Sequence, residues 1–190
     1  MGYVGSAELL IIVIIGLVIF LIAKSPKDSP IIFSHWHQLI DNLQASSQQF
    51  YASVEQNIKE RQLPDTSISR VTHKEGGMLS PKREYLRVTR REHVFDICAA
   101  PFAKGFFISW WLGEKVGVFL DMMRIIPFFG PGLVRFIRPE TYYRRDTALM
   151  FQESVHASVL EVLDHTTKTQ GLRSLSESER KPILKDFFKR

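Results

Sequence analysis

The chain is poor in the residue patterns on which most enzymes and metalloproteins depend. It has one cysteine among 190 residues, Cys98, so it contains neither a disulfide framework nor a C-x-x-C pair. A Gly-rich phosphate loop, a G-x-S-x-G turn and an H-E-x-x-H pair are also missing. These absences disfavour an enzyme, and the sequence predicts no catalytic residue, no cofactor and no metal site.

Polar side chains are missing from residues 9–23, near the N-terminus. With the residues before it, this run is long enough to cross a bilayer as a helix. Residues 1–8 contain no Lys or Arg, which disfavours a cleavable signal peptide. The first basic residues, Lys24 and Lys27, follow the run and place the N-terminus outside the cell. We therefore predict that residues 1–28 are a single-pass anchor in the cell membrane and that the bulk of the chain is cytoplasmic.

One carboxylate, Glu8, stands at the start of this anchor. At the level of the lipid headgroups it would cost little, and this is the favoured interpretation. Several copies of Glu8 could instead ring the mouth of an oligomeric pore and attract cations.

The net charge of +5 indicates an acidic partner. For an anchored domain the simplest such partner is membrane lipid with anionic headgroups. Nucleic acid is disfavoured because the basic stretch from Lys82 to Arg91 comes without a recognised binding motif.

Residues 29–63 are predicted to form a long juxtamembrane helix, begun by Ser29-Pro30 and ended by Leu63-Pro64. Apolar residues recur in it at spacings of three and four, which is typical of a coiled coil. Two interpretations remain open: the apolar residues form a seam that joins copies of the chain, or they form a stripe that packs the helix on its own domain. On a helix, His35 and His37 point in different directions, which excludes a shared metal. The predicted seam residues are Phe33, Trp36, Ile40, Leu43, Phe50 and Val54.

The pattern changes from helical to alternating at about residue 67. Four segments with period two follow and predict an antiparallel meander of three or four strands. Residues 64–190 are therefore expected to be one cytoplasmic α+β domain, a small antiparallel sheet with C-terminal helices packed on it. The predicted strands are residues 67–74, 84–90, 93–99 and 106–112.

Residues 116–137 are apolar but contain charges and a Pro-Phe-Phe-Gly-Pro-Gly break. We predict an amphipathic hairpin on the membrane surface, with Phe128 and Phe129 in the headgroup region and Arg124 and Arg135 snorkelling. A buried hairpin and a second membrane span are the alternatives.

Helices are predicted for residues 147–168 and 178–189. Gln152 and His156 fall within the apolar face of the first, where polar groups must find partners. They are expected to bond to nearby backbone. Alternatively, they form a polar ligand site together with Asp96 or Arg145.

Three functions follow, in decreasing order of preference. The first is a membrane-anchored, non-enzymatic interaction or regulatory subunit that self-associates and binds an unidentified protein. The second is an oligomeric pore or channel-type effector, based on Glu8. The third is a membrane-bound enzyme that uses His156 or Cys98.

Overall fold

A computed structural model describes residues 30–74, 82–115 and 141–184. In these ranges the chain forms two helices and six strands, which confirms the predicted α+β class. The elements are β1 (Ile31–Asp41), α1 (Ser47–Glu60), β2 (Thr66–Lys74), β3 (Lys82–Arg90), β4 (His93–Phe102), β5 (Gly105–Glu114), α2 (Tyr142–Thr169) and β6 (Ile183–Leu184).

All six strands belong to one antiparallel sheet with the order β2-β3-β4-β5-β1-β6. Strands β2 to β5 are the predicted meander, and β1 adds to it beside β5. Gly105, at the start of β5, is paired with Asp41 of β1. A Cβ there would lie 2.5 Å from the carbonyl oxygen of Ile40, so no larger residue fits without a shift.

The predicted long helix over residues 29–63 is wrong. Residues 31–41 form strand β1, and only Ser47–Glu60 are helical. β-branched and aromatic residues at the start of β1 favour a strand, and Asn42 ends it with a φ of 62°. Spacings of three and four across the strand, the turn and the helix resembled one continuous heptad pattern.

The six predicted seam residues lie in or against the hydrophobic core, so they do not form a helical seam. Trp36, Leu43, Phe50 and Val54 are each at most 3% exposed, and Phe33 and Ile40 pack against them. The core fills the space between one face of the sheet and the two helices.

The C-terminal part agrees with the sequence over its first helix. α2 includes the predicted 147–168 and begins earlier, at Tyr142, where the side chain of Thr141 accepts a hydrogen bond from the Arg144 amide. The second predicted helix is wrong over 178–184, which form a turn and strand β6. The carbonyl oxygens of Glu179 and Arg180 accept hydrogen bonds from the buried side chains of Trp36 and His156. In a helix these carbonyls would bond to amides of the same helix, so the contacts favour the turn.

Several predictions lie outside the described residues: the anchor in 1–28 with Glu8, and the hairpin 116–137 with Arg124, Phe128, Phe129 and Arg135. Neither helix in the described ranges is long and apolar enough to cross a membrane.

Candidate functional site

The two faces of the sheet carry different polar groups. Side chains from alternate positions point either to the inner face, which α1 and α2 cover, or to the outer face. The predicted residues Gln152 and His156 lie at the inner face, and Asp96 lies at the outer face.

Gln152 and His156 are both buried, and both have hydrogen-bond partners. The Ser34 hydroxyl donates to Gln152 Oε1 over 2.5 Å. His156 Nδ1 accepts a hydrogen bond from Trp110 Nε1 at 3.0 Å, and His156 Nε2 donates to the carbonyl oxygen of Arg180 at 2.7 Å. This pairing requires a neutral imidazole, and burial lowers the pKa of His156 accordingly.

The inner polar groups hold the C-terminal tail against the sheet. Trp36 Nε1 and Gln38 Nε2 both donate to the carbonyl oxygen of Glu179, at 2.6 and 3.0 Å. The tail is braced from outside as well, because Arg180 forms a two-pronged ion pair with Asp164 at 2.7 and 2.9 Å. Both nitrogens of His156 are occupied by this structural role, so neither is available to a substrate in this arrangement.

The other two residues of the predicted polar site do not join this pair. Arg145 lies half-buried at the end of the first turn of α2. Asp96, on β4, receives two hydrogen bonds from Arg87 on β3, both 2.7 Å long. The strand register sets Arg87 directly opposite Asp96, and both are less than 10% exposed.

His73 extends this ion pair toward the edge of the sheet. Its Nε2 lies 3.2 Å from Arg87 Nη2 and 3.5 Å from Asp96 Oδ2, and its ring meets the edge of Tyr85. Sequence reasoning missed this cluster, because it assigned Arg87 to a basic stretch. The alternation of side chains along β3 and β4 could have revealed it, because in both strands the apolar core residues flank these positions and so direct Arg87 and Asp96 to the outer face.

Cys98 lies on the outer face two residues beyond Asp96 and is 1% exposed. Burial raises the pKa of its thiol, which reduces the fraction of reactive thiolate. Its neighbour across the strands is Ser109, which is also buried.

A row of rings occupies the outer face of β1 and β5. The rings of His35 and Trp111 stack at 4.8 Å, and those of His35 and His37 are parallel at 6.2 Å. Phe107 stacks on His37 at 6.5 Å, and Leu39 is its partner across the strands. We call these five residues, His35, His37, Leu39, Phe107 and Trp111, the outer patch.

The outer patch corrects the reason for excluding a metal at His35 and His37. On a strand these residues share a face, whereas the predicted helix would have separated them. Their rings stack in parallel planes, with an angle of 2° between them. Within the described ranges, no group of three or more His, Cys, Asp or Glu residues is arranged to hold a metal ion.

No protein-family model, curated protein sequence or solved structure matches the chain. Any functional conclusion therefore depends on the residues themselves.

A concave groove lies between the two helices. This groove has a volume of about 550 Å³ and a mixed polar lining. Near it Arg61 of α1 bridges to Glu161 of α2 at 2.8 Å, and both side chains are well exposed. Solvent screens such a pair, so it adds little to the stability of the fold.

Proposed function

We propose that the chain is a membrane-anchored, non-enzymatic interaction protein that self-associates through the outer patch. The observation that carries this proposal is a row of stacked rings on the outer face of the sheet, exposed in part to solvent. Leu39 is 44% exposed and Trp111 is 40% exposed, whereas the polar groups of the inner face are used in structural hydrogen bonds.

The composition of the outer patch supports contact with a protein. Aromatic side chains are enriched at protein interfaces, and Trp is prominent among the residues that dominate binding energy. Stacking of Trp111 on His35 holds both rings before a partner arrives, which reduces the entropy lost on binding.

Two features favour a second copy of the chain as the partner. The outer patch contains no Asp, Glu, Lys or Arg, so two patches can face each other without repulsion between permanent charges. A two-fold dimer brings the same surface of both copies together, and copies anchored in one bilayer share one orientation. Self-association is thus the simplest use of an uncharged, stacked surface.

The enzymatic alternative has less support. His156 is buried with both ring nitrogens hydrogen-bonded, and Cys98 is buried with a raised thiol pKa. The pore alternative depends on Glu8, outside the described residues.

The mass of the detergent-extracted full chain, measured by light scattering, tests the proposal. We expect a defined oligomer for the natural chain and a lower mass for Leu39→Glu, because a charge would be buried at the interface. Phe102→Glu is the matched control, since Phe102 is 63% exposed at the β4–β5 turn and should leave the mass unchanged. A monomeric natural chain, or an equal loss in both variants, would contradict the outer patch as the interface. Flotation with lipid vesicles tests the anchor separately.

A further inference from the structure

The points where the apolar segments attach lie at one end of the sheet. Ile31, just after the predicted anchor, pairs with Glu114 at the end of β5. A Cβ added to Gly113 would lie 2.8 Å from the Cβ of Pro30, so the chain enters the domain directly against β5. We call this end of the sheet, which contains Ile31, Glu114 and the start of β4, the anchor end.

The chain also leaves the domain and re-enters it at the anchor end. The Lys115 amide donates a hydrogen bond to the Glu92 carbonyl at 2.8 Å, so the described range ending at Lys115 leaves the sheet beside the β3–β4 turn. Arg144, in the first turn of α2, forms ion pairs with Glu114 and with Glu92, the second at 3.5 Å. Residues 115 and 141 therefore flank the same group of side chains.

The C-terminal strand β6 also runs toward the anchor end. β6 runs antiparallel to β1, with Leu184 opposite Ser34 and Ile183 opposite His35. Because β1 starts at the anchor end, β6 is directed toward it at Leu184, where the described range stops.

The sequences attached at these points are apolar or combine apolar and basic residues. They comprise the apolar run 9–23, the segment 116–137 with its phenylalanines, two arginines and one aspartate, and residues 185–190, in which Phe187 and Phe188 lie among three basic residues and one aspartate. Such mixtures are typical of membrane interfaces. At the opposite end of the sheet, the β2–β3 connection 75–81 is only seven residues long.

The first turns of α2 lie at the anchor end, where Arg144 reaches Glu92 and Glu114. No residue from 141 to 150 is buried, whereas Phe151 packs against His93 and Phe95 at the start of β4, with ring distances of 6.4 and 6.1 Å. Nine residues of helix extend roughly 13 Å. We call residues 142–150 the overhang.

Exposed large side chains are concentrated on the overhang. Tyr142 is 86% exposed, Tyr143 is 73% exposed and Met150 is 68% exposed. Tyrosine is enriched at the headgroup level of bilayers, where its ring is shielded and its hydroxyl stays hydrated. Exposed to water, the apolar parts of these side chains contribute no burial energy, whereas contact with lipid would remove them from water.

We propose that the anchor end of the domain lies on the lipid bilayer, with Tyr142 and Tyr143 of the overhang among the headgroups. This inference rests on the proposed membrane anchoring and adds an orientation and a second lipid contact. It follows that the β4–β5 turn with Phe102, at the other end of the sheet, points away from the bilayer.

Quenching by lipid tests the orientation on the full chain. In a Cys98→Ser background, Tyr143→Cys and Phe102→Cys are each labelled with an environment-sensitive fluorophore. The proteins are then reconstituted into vesicles of phosphatidylcholine and phosphatidylglycerol in equal parts, with and without headgroup spin labels. We expect the probe at 143 to lose more than half of its fluorescence and the probe at 102 to keep most of it. Tyr142→Cys is a second probe position on the overhang.

The possible failures can be told apart. If the chain floats with the vesicles but the probes at 142 and 143 are quenched no more than the probe at 102, the orientation is overturned and the anchor stands. If the chain does not float, the anchor and the orientation both fail.

Discussion

Two adjacent tryptophans show how the faces of the sheet differ. Trp110 is fully buried on the inner face, where its ring packs against that of Phe95 with centroids 4.6 Å apart and its N–H donates a hydrogen bond to His156. Trp111 is 40% exposed on the outer face and stacks on His35. The inner tryptophan is buried and its N–H is hydrogen-bonded, whereas part of the outer tryptophan ring is exposed to solvent. Position relative to the helices therefore separates a tryptophan that stabilises the core from one to which the proposal gives a binding role.

The largest expected loss of stability follows a substitution on the inner face. Trp110→Ala should lower the free energy of unfolding by about 3–5 kcal/mol, because it opens a large cavity and leaves Nδ1 of His156 without its donor. Trp110→Phe should cost less, since it keeps most of the ring volume and loses chiefly the hydrogen bond. Thermal or urea unfolding of the detergent-solubilised chain measures both. Equal losses for Ala and Phe would mean that the hydrogen bond, rather than the packing, dominates.

The next effect concerns the outer ion pair. Asp96→Asn should destabilise the chain by about 3 kcal/mol, because the nearly buried Arg87 guanidinium would lose its counter-charge. Replacing both partners, with Arg87→Met and Asp96→Leu together, should restore most of the loss, since no charge is then buried alone. Urea unfolding of the single and double variants decides this. A double variant that is less stable than Asp96→Asn would show that the pair itself stabilises the fold.

A smaller effect is expected where α1 meets the sheet. The buried Tyr51 hydroxyl accepts a hydrogen bond from the Ala99 amide at 2.8 Å and donates to the Glu84 carbonyl at 2.9 Å. Burial raises the pKa of Tyr51 to about 12, so the hydroxyl keeps its proton. Tyr51→Phe should cost about 1–3 kcal/mol in urea unfolding, because a buried amide loses its acceptor. Tyr142→Phe, at an exposed position, should change stability very little.

The sequence was informative about the sheet because its strands alternate clearly. The meander from 67 to 112 and the helix containing Gln152 were predicted close to their observed bounds. β1 was missed because Phe33, Trp36 and Ile40 fit a helical spacing that continues across the turn into α1. Local patterns cannot show that β1 pairs with β5, since that pairing depends on contacts between residues more than 60 positions apart.

The candidate sites divide in the same way. Burial of Gln152 and His156 could be predicted from the helical period, because burial is a property of one face of one helix. Their partners Ser34 and Trp110 could not, because these come from other strands. The outer patch was hidden by the wrong assignment of β1, which directed His35 and His37 to different sides of a helix.

Stability should fall in mild acid because of two buried histidines. Burial lowers the native pKa of both His156 and His93, so the folded chain holds them neutral while the unfolded chain gains protons below about pH 6.5. The free energy of unfolding is thus fully retained above that pH and falls below it, by at most about 1.4 kcal/mol per pH unit for each histidine. His93→Phe should flatten this slope, and urea unfolding at several pH values measures it. The same slope in the variant would assign the effect to His156 alone.

A small effect on stability is expected at the outer tryptophan. Trp111→Ala removes one stacked ring contact and already exposed surface, so it should cost about 0.5–1.5 kcal/mol in urea unfolding. The same change should nevertheless lower the mass of the detergent-extracted chain, because Trp111 is the largest side chain of the outer patch. Stability and association are then controlled by opposite faces of one strand. A loss of stability as large as that of Trp110→Ala, with the mass unchanged, would contradict the proposed interface. It would show that Trp111 stabilises the fold and does not mediate association.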